Sequence, residues 1–207
     1  MEDKANNLDE EINSDSANQD SGPESMELEI EHKKILIEIA KESIKNAVTG
    51  QKTNYPFIND PVLLQNCGAF VTISLNGRLR GCIGNIKAQH PLWETIKSMA
   101  KEAATGDPRF YPLNPGELKE IEIEISVLSS FKLINSIDEI KVGRHGLFIK
   151  KGYYQGLLLP QVAQDYKWDR LEFLKQTCTK AGLYESCWKE KSCEIYIFSA
   201  TVFGEEV

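Results

Sequence analysis

Residues 69–84 read Ala-Phe-Val-Thr-Ile-Ser-Leu-Asn-Gly-Arg-Leu-Arg-Gly-Cys-Ile-Gly. Two runs rich in β-branched and aromatic residues flank Asn76-Gly77, which is a strong short-range signal for a β-hairpin. The length of the turn decides what the hairpin displays. A two-residue loop pairs Leu75 with Arg78 and mixes apolar with charged residues on both faces. A three-residue loop, Leu75-Asn76-Gly77 with a left-handed Gly77, separates them. Val71, Ile73, Leu79, Gly81 and Ile83 then face one way, and Phe70, Thr72, Ser74, Arg78, Arg80 and Cys82 the other. A slip of one residue destroys that separation, so the pattern favours the three-residue loop.

Outward from the hairpin the periods alternate between helix and strand. Leu28, His32, Ile35, Leu36, Ile39, Ala40, Ile44, Ala47 and Val48 recur at helical spacing, and Gly50 follows as a cap, predicting a helix over 27–49. Pro91 opens a second helix with a stripe of Leu92, Ile96, Met99, Ala100 and Ala103, ended by Gly106. Asp107-Pro108-Arg109-Phe110 is a turn, and Asn114-Pro115-Gly116-Glu117 a capped helical turn. Ile121 to Leu128 alternates with period two, Ile121, Ile123, Ile125 and Val127 facing a core while Glu122, Glu124 and Ser126 face away. Ser136 and Glu139 form a capping box. Residues 146–150 and 154–159 make a second hairpin, Asp169 to Ala181 a further helix, and Glu194 to Phe203 one final strand. Antiparallel hairpins with segregated helices predict an α+β fold, a single compact domain over 27–207.

The remaining N-terminus behaves differently. Residues 1–31 hold eleven acids and one lysine, whereas the other 176 of the 207 residues carry a net charge of +3. Residues 1–26 are poor in large aliphatics and are expected to be a disordered acidic extension, since they bury too little apolar surface to offset ordering entropy. No apolar run approaches the roughly 20 residues that span a bilayer, and no secretory leader pattern opens the chain. Five cysteines, an odd number in a chain of this size, predict reduced thiols in the cytoplasm. Cys187 and Cys193 have no histidine nearby and there is no Cys-x-x-Cys, so no metal is implied. Phosphate-loop and dinucleotide-binding motifs are absent, and no cofactor is implied.

Three constellations carry chemistry. Arg80 and Cys82 point the same way on a strand, and a guanidinium near a thiol favours the thiolate. Gly81 and Gly84 permit close approach of a ligand or of another backbone. The competing explanation is that Cys82 is a small core residue and the glycines relieve crowding. His145, in Gly143-Arg144-His145-Gly146, is a candidate base for Cys82, with Glu122 or Glu124 orienting its ring; the simpler explanation is a turn histidine bonded to a nearby carbonyl. Arg80, Arg109 and Arg144 are candidates to hold an anion, while Arg78 and Arg80 paired across strands with Glu122 and Glu124 is the purely structural alternative.

Leu79-Arg80-Gly81-Cys82-Ile83-Gly84 resembles the signature of the AMMECR domain family. Asp107-Pro108-Arg109-Phe110, Ile121 to Leu128, Gly143 to Leu147, Leu158 to Ala163, Trp168-Asp169 and Cys178 to Leu183 resemble the family in the same order. The resemblance spans about residues 30–205. It implies an α+β domain in two lobes with no established reaction, and an association with Memo-like and radical-SAM proteins in a modification pathway that extends to RNA. Two functions follow as expectations. The first is a cysteine-centred enzyme or enzyme component, with Cys82, His145, Glu122 and Glu124 catalytic and Arg80, Gly81, Gly84, Arg109 and Arg144 binding a small anionic substrate. The alternative is a non-catalytic module that docks protein or RNA on the signature strand.

Overall fold

Two four-stranded antiparallel sheets, each covered by helices on one face, make the two lobes of an α+β fold. The computed structural model describes residues 22–52 and 55–206. Most of the expected acidic extension lies outside these. Its last residues, 22–26, lie against the fold: Pro23 is buried, the Ser199 hydroxyl donates to the Pro23 carbonyl, and the Thr201 hydroxyl to the Met26 carbonyl.

The first lobe holds α1 (Ile30–Thr49), β1 (Ala69–Leu75), β2 (Arg78–Asn85), α2 (Leu92–Thr105), β3 (Ile121–Leu128) and β8 (Ala200–Gly204), with sheet order β2-β1-β3-β8. Its core joins Leu36, Ala40 and Ile44 of α1 and Ile96 and Ala100 of α2 to Val71, Ile73, Ile123 and Ile125 of the sheet. Gly50 ends α1 in the left-handed conformation. The second lobe holds β4 (Lys132–Leu133), β5 (Gly146–Lys151), β6 (Tyr154–Leu158), α3 (Pro160–Asp165), α4 (Arg170–Lys180) and β7 (Glu194–Phe198), in the order β4-β7-β5-β6. Phe173 and Leu174 of α4 pack on Leu147 and Ile149 of β5.

Two expectations change. The loop of the first hairpin is two residues, not three: Leu75 pairs with Arg78, and Asn76 and Gly77 both take positive φ, the geometry of a type I′ turn. The extra residue sits in β2 instead. Pairing steps from Ser74–Leu79 to Ile73–Gly81, so Arg80 is bulged out. The bulge restores the alternation that a two-residue loop alone destroys: Val71, Ile73 and Gly81 face the core, while Leu79, beyond the bulge, is exposed.

The final strand is also two strands in different sheets. The chain crosses between lobes at Ser199, and again between β3 and β4. These crossings lie side by side, Ser129 N–H donating to the Ser199 carbonyl at 2.9 Å and Ser199 N–H to the Ser129 hydroxyl at 2.8 Å. No helix among the described residues is long and apolar enough to cross a membrane.

Candidate functional site

The β2 strand is an edge, so the outward N–H and C=O of its residues need partners. At Cys82 they are supplied by the Asp107-Pro108-Arg109-Phe110 turn. The Asp107 carboxylate accepts from Cys82 N–H at 2.9 Å, and Arg109 Nη2 donates to the Cys82 carbonyl at 3.1 Å. Asp107 also accepts from Arg109 Nε at 2.9 Å and Nη2 at 2.7 Å. The Arg109 guanidinium, with the Cys82 N–H helping, holds the buried Asp107 carboxyl well below the usual carboxylate range against its own burial. Arg109 is raised in turn, first by Asp107 and then by the Cys82 side chain. Two motifs 25 residues apart in sequence are therefore one clamp.

Since the Cys82 backbone points away from β1, Thr72–Cys82 is a pair whose side chains approach closely. The Thr72 hydroxyl donates to Cys82 Sγ at 3.3 Å. Thr72 also pairs with Glu124 on its other side. Cys82, Thr72 and Glu124 thus form one row across β2, β1 and β3, on the face opposite the helices. Two strand spacings put Cys82 and Glu124 roughly 10 Å apart. Glu124 is solvent-accessible, yet surrounding protein pushes its pKa up and the Asp165 carboxylate at the end of α3 adds to the rise. Asp165 belongs to the second lobe, so this sheet face feels a charge of that lobe. One row further along, Ser126 is buried and its hydroxyl has no hydrogen-bond partner among the described residues. Thr72 and Asp165 lie in none of the family motifs, and Asp107 and Ser126 lie in motifs that gave them no role; the strand register and the turn after α2 place them around Cys82 and Glu124.

The other expected residues go elsewhere. Arg80 turns its fork onto Glu117, with Nε–Oε1 at 2.8 Å and Nη2–Oε2 at 3.1 Å, and donates to the carbonyls of Tyr111 and Pro112. It fastens the 111–117 segment to the bulge, and Arg109 takes the place expected for it beside the thiol. Cross-strand pairing of Arg78 and Arg80 with Glu122 and Glu124 does not occur, because β1 lies between β2 and β3. Glu122 is exposed, in the row of Ser74 and Leu79. A Cβ on Gly81 meets the Ala103 carbonyl oxygen of α2 at 2.1 Å, and one on Gly84 meets the Phe70 ring at 2.1 Å. Both glycines make room for protein.

His145 lies in the second lobe and is 1% exposed. Its Nδ1 accepts from Lys141 N–H at 3.2 Å; its Nε2 has no hydrogen-bond partner among the described residues and abuts Gly22. Burial first, then the charge of Arg144, lowers its pKa and keeps the ring neutral. It forms no hydrogen bond with Cys82. Arg144 is exposed on the turn before β5.

The expectation of reduced thiols meets one pair at disulfide distance. Cys178 and Cys187 lie at disulfide contact, and Cys67, Cys82 and Cys193 are free. Among the described residues no group of three or more metal-ligating side chains is assembled to hold an ion.

The chain is similar to several known proteins. A Nanoarchaeum equitans protein is 39% identical over 178 residues, covering 83% of this chain and 99% of the relative. A Thermococcus kodakarensis protein is 41% identical over 182 residues, covering 83% and 89%. The crystal structure of an uncharacterized protein from Pyrococcus horikoshii superimposes with a TM-score of 0.78 at 38% identity, covering 84% of this chain and 91% of that one. The AMMECR1 family profile matches residues 37–203, a span that contains the Cys82 strand, its Asp107–Arg109 clamp and both sheets. The chain belongs to the AMMECR1 family.

Proposed function

We propose that the protein is an enzyme, or a component of one, acting on a small anionic substrate at the sheet face that bears Cys82, Thr72 and Glu124. Cys82 is the nucleophile. Thr72 donates to its sulfur, and Arg109, half of whose side chain is exposed, offers Nη1 to an anionic group. Asp107 offsets much of the Arg109 charge, so recognition rests on directed hydrogen bonds more than on net attraction. Glu124, with its pKa raised, is the proton donor or acceptor at the other end of the row. His145 has no part in the reaction. The single observation that carries this reading is the row of thiol, hydroxyl and perturbed carboxyl on one sheet face, with a guanidinium at its edge. Docking of RNA through Arg80 is the weaker reading, because the Arg80 donors are engaged by Glu117 and two carbonyls. The family resemblance implies an association with Memo-like and radical-SAM proteins, which supports a reaction in a shared modification pathway.

Alkylation tests the proposal without the natural substrate. The full chain is treated at neutral pH with iodoacetate and with iodoacetamide, and Cys82 is compared with Cys67, whose burial raises its pKa. Cys82 reacts faster with both reagents. Arg109→Gln lowers its iodoacetate rate severalfold relative to its iodoacetamide rate. A Cys82 no faster than Cys67 removes the nucleophile role, and an unchanged reagent ratio in Arg109→Gln removes the anion.

A further inference from the structure

The second lobe gathers three of the five cysteines. Cys178 lies in the last turn of α4 and is fully buried. Cys187 begins the short 3-10 turn Cys187–Lys189, is also fully buried, and is joined to Cys178. Cys193, just before β7, is half-buried, and its Sγ lies 3.9 Å from Cys187 Sγ. Cys193 also lines an open groove with Leu133, Ser136, Trp188 and Lys191, so water and ions reach it. We propose that Cys178, Cys187 and Cys193 form an internal thiol–disulfide exchange site.

The step is balanced within the chain. The Cys193 thiolate attacks Cys187 Sγ, the Cys178–Cys187 bond breaks as the Cys187–Cys193 bond forms, and Cys178 leaves as a thiolate. The proton lost by Cys193 is taken up by Cys178 through solvent. One disulfide is present before and after, so no external oxidant or reductant takes part. The two linkages differ in what they hold. Cys178–Cys187 ties the end of α4 to the 3-10 turn; Cys187–Cys193 closes only the short segment ahead of β7 and releases α4. Burial raises the Cys193 thiol, Glu190 and Glu194 add to the rise and Lys151 opposes it, so the attacking thiolate becomes more abundant as pH increases.

Peptide mapping tests the exchange. Trypsin cleavage after Lys175, Lys180, Lys189 and Lys191 places the three cysteines on separate peptides, Gln176–Lys180, Ala181–Lys189 and Ser192–Val207. The full chain, purified without reductant, is held at pH 7, 8 or 9, quenched in acid and alkylated before digestion. Both linkages are expected, with the approach to their final ratio faster at pH 9 than at pH 7. Cys178→Ser, oxidised by dissolved oxygen during purification, carries a Cys187–Cys193 linkage, and Cys193→Ser holds Cys178–Cys187 alone at every pH. Should the Cys178→Ser chain fail to fold, the wild-type series decides by itself. A single Cys178–Cys187 linkage at every pH, with Cys193 alkylated throughout, overturns the proposal, and so does recovery of all three as free thiols.

Discussion

The two lobes solve one packing problem in the same way. Each is a four-stranded antiparallel sheet whose edge strand, the second strand of a hairpin, lies beneath the end of a helix, and each places glycine at the contact. A Cβ on Gly81 of β2 meets the Ala103 oxygen at 2.1 Å; a Cβ on Gly156 of β6 meets the Ala181 nitrogen at 2.4 Å. The lobes differ in what surrounds that contact. In the first, the residue after the glycine is Cys82, and its backbone is clamped by Asp107 and Arg109. In the second, the residue after the glycine is Leu157, and the sulfurs of Cys178, Cys187 and Cys193 lie near the same end of α4. The comparison teaches that Gly81 belongs to the scaffold shared by both lobes, while Cys82 and its clamp belong to the first lobe alone.

The largest expected effect tests the shared part. Gly81→Ala and Gly156→Ala each force a methyl group into helix-end backbone that has no flexible side chain to yield, and each is expected to cost about 3 kcal/mol or more. Urea denaturation measures both. If one is tolerated and the other is not, the equivalence of the two contacts is lost.

Asp107→Asn separates the lobes. It removes a carboxylate that accepts from Cys82 and from Arg109, with an expected cost of about 2 kcal/mol at neutral pH. The Asp107 pKa is depressed in the folded state, so its contribution is complete above the unfolded value of about 3.9 and is lost as pH falls through the folded value. The wild type therefore loses stability with acid below about pH 4, and the variant loses less over that range. Hydrogen exchange is expected to quicken at the Cys82 amide and to stay unchanged in β6. Equal quickening in both edge strands would show the clamp to be a general stabiliser and no feature of the site.

The smallest effect concerns the junction. Ser129→Ala removes the hydroxyl that accepts from Ser199 N–H where the two crossings meet, at a cost of about 1 kcal/mol. Its readout is the cooperativity of unfolding. A second transition, with the lobes melting apart, would mark this contact as their coupling; a simple downward shift of one transition would make the lobes a single unit.

Most elements were legible in the sequence because their signals are local. The apolar spacing in residues 27–49, the alternation in 121–128 and the helical run from Asp169 to Ala181 each concern a few neighbouring residues, and the structure contains all three elements, with the first helix starting at Ile30. The site was legible only in part. Cys82 and Glu124 were named around His145, which forms no hydrogen bond with Cys82, and Arg109 was named as an anion holder without its Asp107 partner. Arg80 was assigned to the thiol because regular alternation put it there, and the bulge turned it to Glu117. His145 was assigned as base because of its residue type, whereas the fold buries it in the other lobe.

The sequence by itself determined the elements, the antiparallel α+β class and, through its motifs, the family. Periodicity and turn chemistry act over a few residues and survive in the chain as written. Tertiary structure alone decided that Glu194 to Phe203 splits between two sheets, that the extra hairpin residue is Arg80, that Asp107 and Arg109 clamp Cys82, and that three cysteines converge behind α4. Those outcomes depend on which distant segment meets an edge strand's unpaired backbone groups or fills the space beside a helix end, and no local pattern records that choice.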